Sequence, residues 1–244
     1  MSLPPLTFNA WLRYDLIRRL LRDADGVKRV LEIGAGGGAM GARLARRFEY
    51  VGVEPDAGSF DTARARLAEV GKGTIVPGEV SALDPSATFD VVCAFEVLEH
   101  IEDDAAALAE WRERLRPGGR ILLSVPAHPR RFAAGDRKAG HFRRYDPDQL
   151  GVLMRSVGFV EPAVLSYGFP LGYVLEWGRN AIARRTEGRP SMVERTGESG
   201  RYLQPPDWLS WPIRAATAPF RWIQRPFVHT RLGTGLVALA RRSG

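Results

Sequence analysis

The amino-acid sequence predicts an α/β fold built on a parallel sheet, and three observations carry that reading. Short apolar runs alternate with helical patterns over the first two-thirds of the chain. A glycine-rich stretch, Gly34 to Gly38, joins the first such run to a helical pattern. An acidic residue, Glu54, closes the next run, 20 residues after Gly34. With 244 residues, 45% of them hydrophobic, the chain can bury one substantial core, which excludes wholesale disorder.

The elements follow in order. Residues 9–22 read as a helix because Leu12, Leu16 and Leu20, with Ile17 and Leu21, repeat at fourfold spacing. VKRVLEI (27–33) is the first strand, followed by the glycine loop and a helix carrying Met40, Leu44 and Phe48 on one face. YVGVE (50–54) is the second strand, residues 57–69 a helix, TIVPG (74–78) a short third strand and FDVVCAF (89–95) the fourth. A helix over 103–115 turns Leu108, Trp111 and Leu115 inward, RPGG (116–119) ends it, and RILLSVP (120–126) is the fifth strand. Asp146 as cap, Pro147 in the first turn and Gln149 at the capping-box position announce a helix that stops at Gly158. FVEPAVLSYGF (159–169) reads as a strand interrupted by Pro162, and TGLVALARR (234–242) as the last strand. Two parts are expected within one domain: a ligand-binding α/β part over 1–165 with its N-terminal helix, and a substrate-covering segment over 166–244 that completes it.

Composition narrows the classes. A single cysteine, Cys93, excludes an internal disulfide framework and fits a reducing compartment. The N-terminus shows no signal-peptide pattern, and no apolar stretch approaches a membrane span, so a cytoplasmic protein is expected. The net charge of +7 lies wholly in the last third: residues 1–165 balance, whereas 166–244 hold 12 basic and five acidic side chains. Nucleic-acid binding favours a basic face across the domain and is not expected.

The loop and the acid carry chemistry together. Glycines allow a sharp turn and a close ligand approach, and the helix beyond offers unpaired N–H groups. A carboxylate at Glu54 can accept from two ribose hydroxyls, so a nucleoside-like ligand is expected. Gly34-x-Gly36-x-x-Ala39 also satisfies the loose dinucleotide fingerprint, which keeps a nicotinamide-dependent oxidoreductase as an alternative. Glu32 at the loop entrance argues against a pyrophosphate and for a ligand bearing an amino group and no phosphate. A non-catalytic, membrane-peripheral module that binds the same ligand is a third reading.

Over about residues 25–165 the chain resembles the class I S-adenosylmethionine-dependent methyltransferases, particularly small-molecule and lipid-precursor members. EIGAGGG (32–38) matches the first motif of that family, Glu54 its ribose-binding acid, and Glu79-Val80 its adenine-flanking pair. FDVVCAFEVLEHI (89–101), LRPGGRILLSVP (115–126) and GHFRRYDPDQL (140–150) resemble its later motifs. Glu79 stands where an aspartate is commoner. The resemblance implies a Rossmann-like, mostly parallel seven-stranded sheet with helices on both faces, a reversed last strand, and an insertion before it. It implies S-adenosylmethionine as cofactor and S-adenosylhomocysteine as product. Gly34, Ala35 and Gly36, with Glu32, would meet the amino-acid end, Glu54 the ribose, and Pro55, Asp56, Glu79 and Val80 the adenine. Ala94 and Phe95 would lie beside the methionine moiety.

The acceptor end is less defined: a small molecule or lipid-like metabolite, methylated at oxygen, nitrogen or carbon. Base candidates are His100, His128 and His141, with His141 favoured and Tyr145 nearby. The stretch 129–146 is long and basic, and Arg143, Arg144 or Lys138 could grip an acidic group. The four histidines are scattered, so no metal-ligand cluster is legible. Residues 207–227 interleave Trp208, Trp211, Phe220, Trp222 and Phe227 with arginines. That segment reads as a peripheral contact on the inner membrane face, an acceptor groove, a lid or a dimer contact, in a monomer or homodimer. Prolines 212, 219 and 226 argue there against one continuous helix.

Overall fold

The computed structural model of the chain describes residues 3–22, 26–185 and 205–244. The elements run α1 (Phe8–Arg22), β1 (Arg29–Ile33), α2 (Gly41–Leu44), β2 (Glu49–Glu54), α3 (Ala57–Val70), β3 (Thr74–Pro77) and β4 (Phe89–Phe95). They continue as α4 (Asp104–Glu113), β5 (Leu115–Pro126), α5 (Ala134–Ala139), α6 (Pro147–Ser156), β6 (Phe159–Tyr167), α7 (Leu171–Arg185), α8 (Ser210–Ile223) and β7 (Gly235–Arg242). The seven strands form one sheet in the order β3-β2-β1-β4-β5-β7-β6. All the pairs from β3 to β5 are parallel, and β7 runs antiparallel between β5 and β6. The last strand, supplied by the C-terminal segment, is therefore internal to the sheet.

The central strands are buried on both faces, which is why they read as continuous apolar runs. Alternation then sorts them. Leu31, Ile33, Val92, Ala94, Ile121 and Leu123 pack on one side with Leu108 and Trp111 of α4 and Leu150 and Met154 of α6. Val30, Val91, Cys93, Phe95 and Leu122 pack on the other with Leu12, Leu16, Ile17 and Leu21 of α1. Among the described residues no helix is long and apolar enough to cross a membrane.

Several local readings change. The helical pattern reaching Phe48 shortens to α2, although the Phe48 N–H still donates to the Leu44 carbonyl at 3.0 Å. RPGG belongs to a bulged entry into β5: pairing with β4 starts at Leu115 and resumes at Arg120. Pro162 lies where the β6–β7 register shifts between Val160 and Ala163, so the strand continues past it. Asp146 caps α6 through the Asp148 N–H and not at the capping-box position. The main correction is α8, a continuous helix that contains Pro219. Pro212 costs little in the first turn, where its N–H would lack an intrahelical partner. Tertiary packing offsets the donor lost at Pro219. Buried Ile213 and Thr217 face inward, and the Gln224 side chain donates to the Leu12 carbonyl of α1 at 2.9 Å. Part of the arginine- and proline-rich C-terminal stretch, 186–204, lies outside the described residues.

Candidate functional site

The glycine loop leaves the C-terminal end of β1, in the middle of the sheet, where open α/β folds bind ligands. Its conformation depends on glycine. Gly36 has φ +54 and faces open space, where an added Cβ would meet nothing within 4 Å. Gly38 has φ +73 and packs so closely on α3 that a Cβ would come within 2.8 Å of the Ala63 backbone. At Gly34 a Cβ would collide with Val97 at 2.6 Å, which brings the segment after β4 against the loop.

Glu54 ties this site together. Its carboxylate accepts from the Gly36 N–H at 2.7 Å and the Asp56 N–H at 2.9 Å, bridging the loop to the start of α3. Burial raises its pKa and those two amides work against the rise. Asp56 caps α3 through the Ser59 N–H at 2.8 Å. Glu32 sits behind the loop, 2% exposed, and accepts from the Tyr50 hydroxyl at 2.7 Å. Burial pushes its carboxyl up to about 8, despite the Tyr50 bond and the nearby Arg13 charge. Ala35, Val80, Ala94 and Phe95 are buried, whereas Pro55 and Glu79 are exposed.

The residues after β4 form the neighbouring wall. Glu96, at φ +59, pairs with Arg13 at 3.0 Å and accepts from Ser124 and Tyr167 at 2.9 and 3.1 Å. Burial opposes ionisation there, but the Arg13 charge and these bonds hold the Glu96 carboxyl below its usual range. Glu99 is wholly buried, and burial together with the Glu96 charge pushes its pKa well up. His100 and His141 meet edge to face, ring centroids 4.7 Å apart. Burial and His141 lower the pKa of His100 to about 4.

His141 is positioned by the folded stretch 129–146, whose centre is Asp136 of α5. Asp136 is wholly buried and accepts from the Ala133 N–H at 2.8 Å, Arg144 at 2.7 Å and Arg179 at 3.1 Å, with His141 Nδ1 at 3.1 Å. Arg144 also pairs with Glu176 at 2.8 Å. The other sequence-predicted acceptor residues are likewise engaged within the protein. Arg143 pairs with Asp104 at 2.7 Å and donates to the Glu102 carbonyl. The Tyr145 hydroxyl donates to Asp104 at 2.9 Å, and His128 Nε2 lies 2.9 Å from the Gly233 carbonyl. The structure thus brings His100 and His141 together and leaves His128 apart from them. Arg13, Tyr50, Glu96, Glu99 and Glu176 carried no sequence signal of their own. The one available hint was that Glu99 adjoins His100 in EVLEH.

Comparison with known proteins agrees with this architecture. A family described as "Methyltransferase domain" matches residues 8–161. A ubiquinone biosynthesis O-methyltransferase of Paramagnetospirillum magneticum is 41% identical over 104 residues, covering 41% of this chain and 41% of that protein. The chain spans less than two-thirds of the length of the curated relatives it matches first. Among solved structures, a S-adenosylmethionine-dependent methyltransferase of Thermotoga maritima, described as a possible histamine N-methyltransferase, aligns with TM-score 0.59 at 17% identity over 96% of this chain and 90% of that one. Phosphoethanolamine N-methyltransferase 2 of Haemonchus contortus, in complex with S-adenosyl-L-methionine, aligns with TM-score 0.60 at 15% identity over 95% of this chain and 53% of that one. A domain matched over more than half of the chain, on the fold that these proteins share, makes this chain a member of the class I S-adenosylmethionine-dependent methyltransferase family.

Proposed function

We propose that the chain transfers a methyl group from S-adenosylmethionine to a small-molecule or lipid-like acceptor, and that the acceptor atom is oxygen. The observation that carries this reading is the cradle at Gly36: open space in front of a glycine at positive φ, backed by a carboxylate that accepts two backbone amides. The names of the ubiquinone biosynthesis O-methyltransferases favour oxygen. Gly34, Ala35, Gly36 and Glu32 would hold the methionine end, Glu54 the ribose, and Pro55, Asp56, Glu79 and Val80 the adenine, with Ala94 and Phe95 beside the methionine moiety. The bound sulfonium supplies an activated methyl. The acceptor oxygen forms a bond to that carbon as the carbon–sulfur bond breaks, the electron pair stays on sulfur, and the hydroxyl proton leaves to water or to a base. Much of the protein's contribution is alignment of these three atoms.

His100 and His141 stand on the acceptor side in this reading. Arg143, Arg144, Tyr145 and His128 stand on the same side, each already tied to a protein partner that would hold it in place toward the acceptor. Calorimetry with S-adenosylhomocysteine and NAD tests the cofactor, and binding of NAD alone would overturn it. Labelled-methyl transfer to a cell extract, followed by mass spectrometry of the product, identifies the acceptor.

A second surface favours a lipid-associated acceptor. Trp208, Trp211 and Trp222 are 75%, 76% and 66% exposed, and the last two lie three turns apart on one face of α8. Arg225 stacks on the Trp222 ring. We assign this face to peripheral contact with an anionic lipid surface. Flotation with phosphatidylglycerol vesicles tests it, and absence of binding with unchanged activity on soluble acceptors would sink it.

A further inference from the structure

Glu99 poses an electrostatic problem that the methyl-transfer reading does not use. Its side chain has no exposed surface, and neither carboxylate oxygen has a hydrogen-bond partner among the described residues. A buried carboxyl in that condition is costly unless it keeps its proton or meets a cation. Two histidines converge on it. His141 Nε2 lies 4.0 Å from Glu99 Oε1, and His100 Nδ1 is buried without a partner. One ligand atom from each of the three residues falls within 4.8 Å of the others.

Each imidazole is oriented from behind. His141 Nδ1 faces Asp136 at 3.1 Å, which leaves Nε2 as the nitrogen presented to Glu99. Asp136 is itself anchored by Arg144 and Arg179. This is the carboxylate–histidine arrangement that fixes ring orientation and raises basicity in metal ligands. His100 is hydrogen-bonded on its other side to the Gly140 backbone. The Phe142 N–H donates to the Glu99 carbonyl at 2.8 Å and locks the two segments in register.

We propose that Glu99, His100 and His141 form a divalent-cation site. It would bind a borderline first-row ion through one carboxylate oxygen, His100 Nδ1 and His141 Nε2. Two imidazoles and a carboxylate suit zinc, cobalt, iron or manganese better than magnesium or calcium. An ion at about 2.1 Å from tetrahedral ligands spaces them about 3.4 Å apart, so binding closes the cluster by roughly 1 Å. Three protein ligands leave a position for water or an acceptor oxygen. The cluster follows Val97, which rests on Gly34, so the ion lies beside the glycine loop. Its role toward an acceptor rests on the methyl-transfer reading, whereas the site itself does not.

The test uses the untagged full chain, stripped with a chelator and titrated with cobalt(II) chloride while the visible d–d absorption is followed. One saturating equivalent, displaced by zinc chloride, is expected. His100→Asn and His141→Asn should each weaken cobalt binding by about tenfold or more, and Asp136→Asn by about tenfold through loss of the orienting partner. Absence of saturable binding below about 1 mM in the native chain would overturn the site. So would unchanged affinity in both histidine variants. His100 is the least buried of the three, so His100→Asn with a native circular dichroism spectrum keeps the test decisive if the others fail to fold. The readout needs no turnover, and a chain that binds cobalt but methylates nothing would count against the methyl-transfer reading alone.

Discussion

Replacing Gly36 and Gly38 separately by alanine separates ligand space from packing within one loop. Both glycines have positive φ, +54 and +73, so each alanine carries a backbone cost of about 1–2 kcal/mol. At Gly36 the new Cβ meets nothing within 4 Å, so the stability loss should stop there. At Gly38 the Cβ comes within 2.8 Å of the Ala63 Cα and 2.9 Å of its Cβ, contacts that cannot yield without moving α3. That overpacking adds about 1–3 kcal/mol, for a total of about 2–5 kcal/mol. For a chain of this size each kcal/mol lowers Tm by about 2–4 °C, so thermal unfolding resolves the pair. Affinity for S-adenosylhomocysteine should show a different contrast. Gly36→Ala, whose methyl enters the cradle, should lose at least tenfold, or about 1.4 kcal/mol, while most of its stability is kept. Calorimetry at 25 °C measures this directly. Gly36→Ala binding within twofold of the native chain would refute the cradle as the ligand's seat. Gly38→Ala no less stable than Gly36→Ala would refute the α3 contact.

Glu32 predicts a pH dependence of stability. Its folded pKa of about 8 lies above the ordinary 4.5, so the fold holds a proton that the unfolded chain releases between those values. The stability contributed by the neutral carboxyl is full below pH 4.5 and is lost as pH rises toward 8. Glu32→Gln cannot release the proton, so it should gain on the native chain by up to about 4 kcal/mol between pH 5 and pH 8, at about 1.4 kcal/mol per pH unit. Parallel urea-unfolding profiles would show the premise to be wrong. Glu54→Gln should weaken S-adenosylhomocysteine binding by about 10–100-fold and raise KM more than it lowers kcat, because the contact lies away from the transferred methyl. Asp136→Ala removes the anion between Arg144, Arg179 and His141 and should cost about 3–5 kcal/mol in urea unfolding. Triple replacement of Trp208, Trp211 and Trp222 by alanine should change stability by less than about 0.5 kcal/mol for each exposed side chain, yet abolish vesicle flotation.

What could be read from the sequence is what depends on neighbours along the chain. The alternation of apolar runs and helical periods specified the α/β class. Strands buried on both faces must be continuously apolar, and helices with one buried face must repeat at three to four residues. Gly36 and Glu54 were legible for the same reason: a turn between strand and helix and an acid closing the next strand have fixed places in such a unit. The continuous helix across Pro219 was not legible, because its stability comes from α1, which it contacts through Gln224 and Leu12 across 212 positions of sequence. Nor could sequence spacing join Glu99 and His100 to His141, some 40 positions away. That approach depends on Asp136, whose burial with Arg144, Arg179 and Glu176 folds a long polar stretch inward. Charge pairs of that kind leave no period in a sequence. The sequence alone therefore singled out the glycine loop and Glu54, and only the tertiary structure assembled the polar cluster beside them, because burial turned scattered histidines into neighbours.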